Sequence, residues 1–286
     1  MIYQTAKDWR DAPQKRVLLF GMSGLGKTFL ANMLRDAGNW YHYSVDYRIG
    51  SRYLGEPITD NLKREAMKNP YLRELLMGDA ITLRPNIGFE NLAAVSAWLG
   101  KPGNRDLGGL DFADYTARQE MFRAAEIAAL HDTPAFIARA KSLYGYPNFI
   151  CDTGGSICEW VEPDDPADPL LTALSSHTLM VWLEGSEAHT EELVRRFDRA
   201  PKPMSYMPSF LAEAWAGYLE ETGQAEDKVD PDAFVRWTYA RALAHRQPRY
   251  AAMADKWGLR LRADDVARIR TPSDFEDLIA AALEAR

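Results

Sequence analysis

The chain has 286 residues, 47% hydrophobic and 26% charged, with 34 basic residues against 41 acidic ones and a formal net charge of −7. That balance suits one large domain, or one domain with a built-in second lobe, and excludes a disordered chain, a fibre and a coiled coil. The acidic excess argues against nucleic-acid binding through a broad basic surface, and no uncharged apolar run approaches the ~20 residues of a membrane helix. Residues 1–8 lack the basic and apolar regions of a secretory signal, so a cytoplasmic protein is expected. Cys151 and Cys158 make no disulfide framework, and with five histidines they give no metal-site spacing.

Residues 16–20 are a short apolar run rich in strand formers, followed at once by a glycine-rich turn and a helical pattern from Thr28. Gly38 ends that helix. Residues 40–45 read as a second strand closing at Asp46. Residues 51–118 read as a helical insertion with flexible joints: a helix over 62–77 broken at Asn69-Pro70, another over 89–99, and loop punctuation at 101–104 and 108–109. Helical periodicity returns over 111–142, with a break at Pro134. Residues 148–151 form a third strand running into Asp152-Thr153-Gly154-Gly155-Ser156, and 162–169 an acidic, proline-rich loop. Residues 178–183 are a fourth strand without polar alternation, as for one buried on both faces. A helix over 187–197, a proline-rich loop over 199–208, helices at 209–221 and 231–245, a short strand at 259–261 and a terminal helix from Thr271-Pro272 complete the chain. Strands alternating with helices predict an α/β fold with a mainly parallel sheet.

Gly21-Met22-Ser23-Gly24-Leu25-Gly26-Lys27-Thr28 fits the P-loop pattern G-x-x-x-x-G-K-[ST], between a predicted strand and a predicted helix. The glycines let the backbone turn its N–H groups toward a phosphate. Lys27 adds a point charge, the Thr28 hydroxyl is a magnesium ligand, and the helix directs its positive end at the anion. The expected nucleotide-binding set is Gly21, Ser23, Gly24, Leu25, Gly26, Lys27, Thr28 and Phe29, holding a nucleoside triphosphate with Mg²⁺.

Phosphoryl transfer also needs a carboxylate near the metal, a group that orients the acceptor, and cations over the moving phosphoryl. In a doubly wound sheet these belong at the carboxyl ends of the strands. Asp46 ends the second predicted strand and Asp152 the third. Arg195, Arg196, Arg199 and Lys202 lie in or beside the loop after the fourth, with Arg195 and Arg199 the favoured transition-state cations. Arg48, just after Asp46, reads equally as an acceptor contact or a solvated surface residue.

These residues resemble the shikimate kinase family of small-molecule kinases. Asp46 follows Lys27 by 19 residues, similar to that family's acceptor-binding aspartate. Phe122-Arg123-Ala124-Ala125-Glu126 resembles its F-R-x-x-E helix motif, Asp152 to Ser156 its glycine-rich turn, Lys202-Pro203-Met204 its lid, and Arg246-Gln247-Pro248-Arg249-Tyr250 its R-x-P-L-Y segment, all in the family's order. The resemblance implies a P-loop kinase-like three-layer fold with ATP as donor. It implies that Asp46 contacts the acceptor hydroxyl, that Arg123 and Arg246 bind an anionic group, that Gly154 and Gly155 allow close approach, and that Lys202 or Arg199 closes over the phosphates. Where the family has an aspartate two positions before the acceptor-binding one, this chain has Ser44. The metal-side carboxylate is therefore expected at Asp152, alongside Thr28. The chain also exceeds the family in length, so one kinase-like domain over 1–286 is expected to carry an acceptor-side helical lobe at 51–118 and a lid with helical extension at 198–245.

The expected function is ATP-dependent transfer of the γ-phosphate to a hydroxyl of a small, anionic metabolite, by a monomer or homodimer. Two alternatives stay open: a zeta-toxin or antibiotic-phosphotransferase type of kinase acting on a nucleotide-sugar or a drug, and an ATPase switch that binds a protein through its helical insertion.

Overall fold

The computed structural model describes residues 1–286 and divides into two compact units. The first comprises Met1–Val45, Ile127–Pro201 and Arg236–Arg286; the second comprises Asp46–Glu126 and Lys202–Val235.

The first unit is built on five strands: β1 (Arg16–Phe20), β2 (Trp40–Ser44), β3 (Asn148–Asp152), β4 (Leu179–Glu184) and β5 (Gly258–Arg262). They lie in the order β2-β3-β1-β4-β5, every pair parallel. Consecutive residues of β1, Val17 to Phe20, have no exposed surface, and β3 is buried throughout. Such strands have both faces covered, which is why they read as unbroken apolar runs. The expected α/β fold with a mainly parallel sheet is the one observed.

The register places the ends of three strands side by side. Leu19 of β1 pairs with Asp152 of β3, and Asp152 pairs in turn with Ser44 of β2. The helix Lys27–Asp36 leaves the turn that follows β1.

Some elements depart from the sequence reading. The second strand stops at Ser44 rather than at 45–46, so Asp46 sits on the helical turn Val45–Arg48. The helix expected over 231–245 runs from Pro231 to Trp257, through Pro248. Tertiary bonds on both sides of Pro248, described below, outweigh the lost backbone donor. An N-terminal helix, Ala6–Asp11, was not expected: Thr5 and Asp8 form a reciprocal capping box, and the Trp9 indole donates to the Glu276 carbonyl at 2.9 Å.

The second unit contains no named strand. Its helices include Gly55–Ala66, Pro70–Met77, Ala93–Leu99 and Pro208–Thr222, together with a π-helical turn, Ile49–Tyr53. The break at Asn69 is where expected, with the Asn69 side chain accepting from the amides of Tyr71 and Leu72. The next helix starts at Ala93, later than expected, because Phe89 is instead stacked on Tyr47 at 4.9 Å. Aromatic packing makes the core: Phe112 lies flat on Trp215 at 4.8 Å, and Trp215 meets Phe234 edge-on at 4.9 Å. Met204 and Tyr206, from the expected lid, are fixed to the helix Phe112–His131. Tyr115 and Gln119 both donate to the Met204 carbonyl at 3.0 Å, and the Tyr206 amide donates to the Gln119 side chain. No helix is long and apolar enough to cross a membrane.

Candidate active site

The turn after β1 has the backbone of a phosphate cradle. Gly21, Gly24 and Gly26 all have φ between +91° and +127°, a region costly to side-chain-bearing residues. Gly21 is the most constrained: a Cβ there would lie 2.8 Å from the Leu183 carbonyl oxygen and 3.0 Å from the Trp182 ring. β4 therefore packs directly on the turn, and only glycine leaves room. Ser23, Gly24 and Thr28 are exposed, Phe29 is 65% exposed, and Leu25 is buried against the body.

Lys27 is 6% exposed and curls over the turn, its ammonium donating to the carbonyls of Gly21 at 2.8 Å and Met22 at 2.9 Å. The Thr28 hydroxyl donates to Asp152 Oδ2 at 2.7 Å. Asp152 is 6% exposed, and its Oδ1 is buried with no hydrogen-bond partner. Burial pushes the Asp152 carboxyl above the usual carboxylate range, opposed by the Lys27 charge and the Thr28 hydrogen bond. His42 Nε2 lies 3.9 Å from Asp152 Oδ2. Burial lowers the His42 pKa to about 4, so at neutral pH the imidazole brings no charge. Lys27 is then the cation that opposes the Asp152 charge.

Oxygen donors and a lysine at the mouth of a glycine turn fit a magnesium–nucleotide complex. Mg²⁺ keeps several waters and takes one or two carboxylates plus substrate phosphates, so it needs no all-protein cage. None is present, since nowhere do three His, Cys, Asp or Glu side chains gather as metal ligands. The orphaned Oδ1 of Asp152 and the Thr28 hydroxyl are the groups that would serve the ion.

The turn after β3 is pressed against this cradle. A Cβ on Gly155 would lie 3.2 Å from Ser23 Oγ, so the close approach here is to the P-loop itself. Gly154 is buried beside it. The segment 246–250 then braces both turns. The Tyr250 hydroxyl donates to the Gly155 carbonyl, and the Gln247 amide approaches Met22 Sδ at 2.9 Å. Arg249 donates to the carbonyls of Cys158, at 2.7 Å, and Val161. Arg246 is 5% exposed and donates to Glu159 Oε1 at 2.6 Å. Burial works against the Arg246 charge, but Glu159 beside it more than offsets that and holds the guanidinium protonated.

The remaining predicted residues fall as follows. Arg195 and Arg199 lie exposed on the helix Glu187–Arg199, Arg195 pairing with Glu192 at 3.0 Å; Arg196 takes the same glutamate at 2.8 Å. Asp46, Arg48, Arg123 and Lys202 belong to the second unit. Asp46 is half-buried, Arg48 lies over the Tyr53 ring, and Arg123 pairs with Glu120 at 3.0 Å one helical turn away. Lys202 is exposed. Sequence reasoning missed Glu159 and His42 as neighbours of the site. Their one signal is a polar residue within a short apolar or aromatic run, His42 between Tyr41 and Tyr43 and Glu159 between Cys158 and Trp160.

No family model matches the chain, and no curated protein does. Among solved structures, a shikimate kinase from Bacteroides thetaiotaomicron is 16% identical over 95% of this chain and 97% of that one, with a TM-score of 0.38. A shikimate kinase from Acinetobacter baumannii, solved in complex with shikimate, is 13% identical over 98% of this chain and 96% of that one, with a TM-score of 0.39.

Proposed function

We propose that the chain is a magnesium- and ATP-dependent phosphotransferase whose acceptor is a hydroxyl of a small, anionic molecule. The observation that carries this reading is the convergence of Lys27, Thr28 and Asp152 at the ends of β1 and β3. The register adds a reason for Asp152. Ser44 stands where the resembled family has its metal-side aspartate, and Asp152 is the residue paired with it on the adjacent strand. A carboxylate at the same level of the sheet, one strand over, would serve the same ion. When bound, Mg²⁺ would spread the charge of the β- and γ-phosphates.

The chain's own residues would act as follows. Lys27, released from the carbonyls of Gly21 and Met22, would hold the β- and γ-phosphates. The acceptor oxygen would bond to the γ-phosphorus as the bond to the bridging oxygen of ADP breaks. The hydroxyl proton would pass to Asp46, which is proposed as the acceptor-orienting residue. Arg199 and Lys202 would provide charge to the phosphoryl oxygens. Arg246 is proposed as a positioning residue instead of an acceptor contact, because Glu159 already occupies its guanidinium.

A second reading, an ATPase switch with a protein partner, is favoured by one observation. The helix Pro70–Met77 buries no residue and leaves Tyr71 at 69% and Met77 at 75% exposure. The two readings separate in one assay: ADP release against hydroxy acids, sugars, polyols, nucleosides and aminoglycosides, shikimate included. A metabolite kinase gives stimulation well above basal hydrolysis that is lost in Asp46→Ala. A flat panel with slow basal hydrolysis overturns the kinase reading in favour of the switch.

A further inference from the structure

The second unit holds an open groove of about 500 Å³, lined among others by Gly50, Ser51, Thr59, Lys63, Arg84 and Ile87. That volume suits a small organic ligand. No residue lining the groove is acidic, although acids outnumber bases in the chain as a whole. Arg84 makes no ion pair within the chain. Lys63 has only Asp60, at 3.9 Å, and both side chains of that pair are more than half exposed. Two cations thus face the groove with almost nothing to neutralise them.

The hydroxyls there are differently disposed. Ser51 Oγ donates its proton to the Tyr47 carbonyl at 2.7 Å, and Thr59 Oγ1 donates to the Gly55 carbonyl at 2.7 Å. Both protons are committed to the backbone, so the oxygens offer lone pairs to a ligand and call for donors on it.

The walls are held from both sides. Gly50 lies in the π-helical turn, and a Cβ there would come 2.6 Å from Val95 Cγ2 and 3.1 Å from Ile87 Cγ2. The segment 80–92 therefore packs tightly on that turn, anchored further by Phe89 stacked on Tyr47 and by the Asn91 amide donating to the Asn86 carbonyl at 3.1 Å. π-Helical turns of this kind are frequent at functional sites.

We propose that this groove binds a hydroxylated phosphate monoester of sugar-phosphate size, its dianion held by Lys63 and Arg84 and its hydroxyls donating to Ser51 and Thr59. Two cations, opposed only by the exposed Asp60, match a dianion better than a single carboxylate. The groove lies wholly within the second unit, and the proposal stands apart from the phosphotransferase reading.

The test is calorimetric titration of the full-length Lys27→Ala protein, so that phosphate binding at the P-loop does not contribute, with glucose 6-phosphate, gluconate and glucose as probes. Glucose 6-phosphate should bind saturably with one site per chain, at least tenfold tighter than gluconate, with no binding of neutral glucose. Adding Lys63→Ala and Arg84→Ala should weaken glucose 6-phosphate at least tenfold, and Arg84→Lys should restore part of that loss over Arg84→Ala. Both side chains are exposed, so an unchanged thermal midpoint should show that the variants fold. No saturable binding of glucose 6-phosphate, equal binding by the Lys63→Ala/Arg84→Ala protein, or gluconate binding as tightly would each overturn the proposal.

Discussion

The two units are held together by different physics. In the first, buried and half-buried polar side chains reach across the chain: Arg249 takes two carbonyls of the segment 158–161, Tyr250 takes that of Gly155, and Arg246 is locked to the Glu159 carboxylate. In the second, aromatic stacks fill the core, Glu126 is the one charged residue fully buried, and several charge clusters sit outside. Arg105 with Asp111 and Asp114, and Lys68 with Glu65, are more than half exposed. A phosphate cradle needs backbone N–H groups held in place, and the first unit places its buried bonds around that cradle. The second unit instead has irregular segments around an open groove, an arrangement in which side chains can vary without unmaking the frame.

The largest effect should come from the buried pair. Arg246→Met leaves Glu159 buried without its cation and should cost about 3–5 kcal/mol in chemical denaturation, and it should weaken ATP binding with it. Arg105→Ala, the matching change in the second unit, should leave the thermal midpoint in place, as an exposed charge cluster contributes little. Equal losses from the two would break the comparison.

Acid should strike the first unit selectively. All five histidines lie there, and the second unit has none. His42 has a folded pKa of about 4 against an ordinary 6.5, so its contribution to stability is fully present above about pH 6.5 and is lost as pH falls to about 4. By linkage that amounts to about 3 kcal/mol at most. His42→Gln should flatten the pH dependence of unfolding between those limits. An unchanged slope would remove His42 as its source.

Two glycines sharpen the comparison at smaller scale. Gly21→Ala meets a backbone carbonyl and a positive φ, neither of which can yield, and should cost about 2 kcal/mol together with nucleotide affinity. Gly50→Ala meets the methyl tips of Val95 and Ile87, which can move, and should cost about 1 kcal/mol while sparing ATP binding. Loss of ATP binding in both variants, read by titration, would erase the distinction.

How much was legible follows the same division. The cradle could be read because its signal is local: three glycines, a lysine and a threonine within eight residues, between an apolar run and a helix. Asp152 could be read because it ends a run of apolar residues. Arg246 could be picked out but not understood, because its partner Glu159 lies 87 residues away and nothing in the sequence joins them. Phe89 looked like the start of a helix because its periodicity fits one, and tertiary stacking on Tyr47 overrode that preference. The groove left no sequence signal, since Lys63 and Arg84 become neighbours only through the packing at Gly50.

The central claim is that Asp152 and Thr28 serve the metal of a bound nucleotide. It is tested most directly by titrating ATP into the intact chain with and without Mg²⁺, in the parent and in Asp152→Asn. The account predicts that the parent binds ATP more tightly with Mg²⁺, and that the variant keeps its metal-free affinity but loses most of that gain. No ATP binding by the parent, or the same Mg²⁺ gain in both proteins, would contradict it.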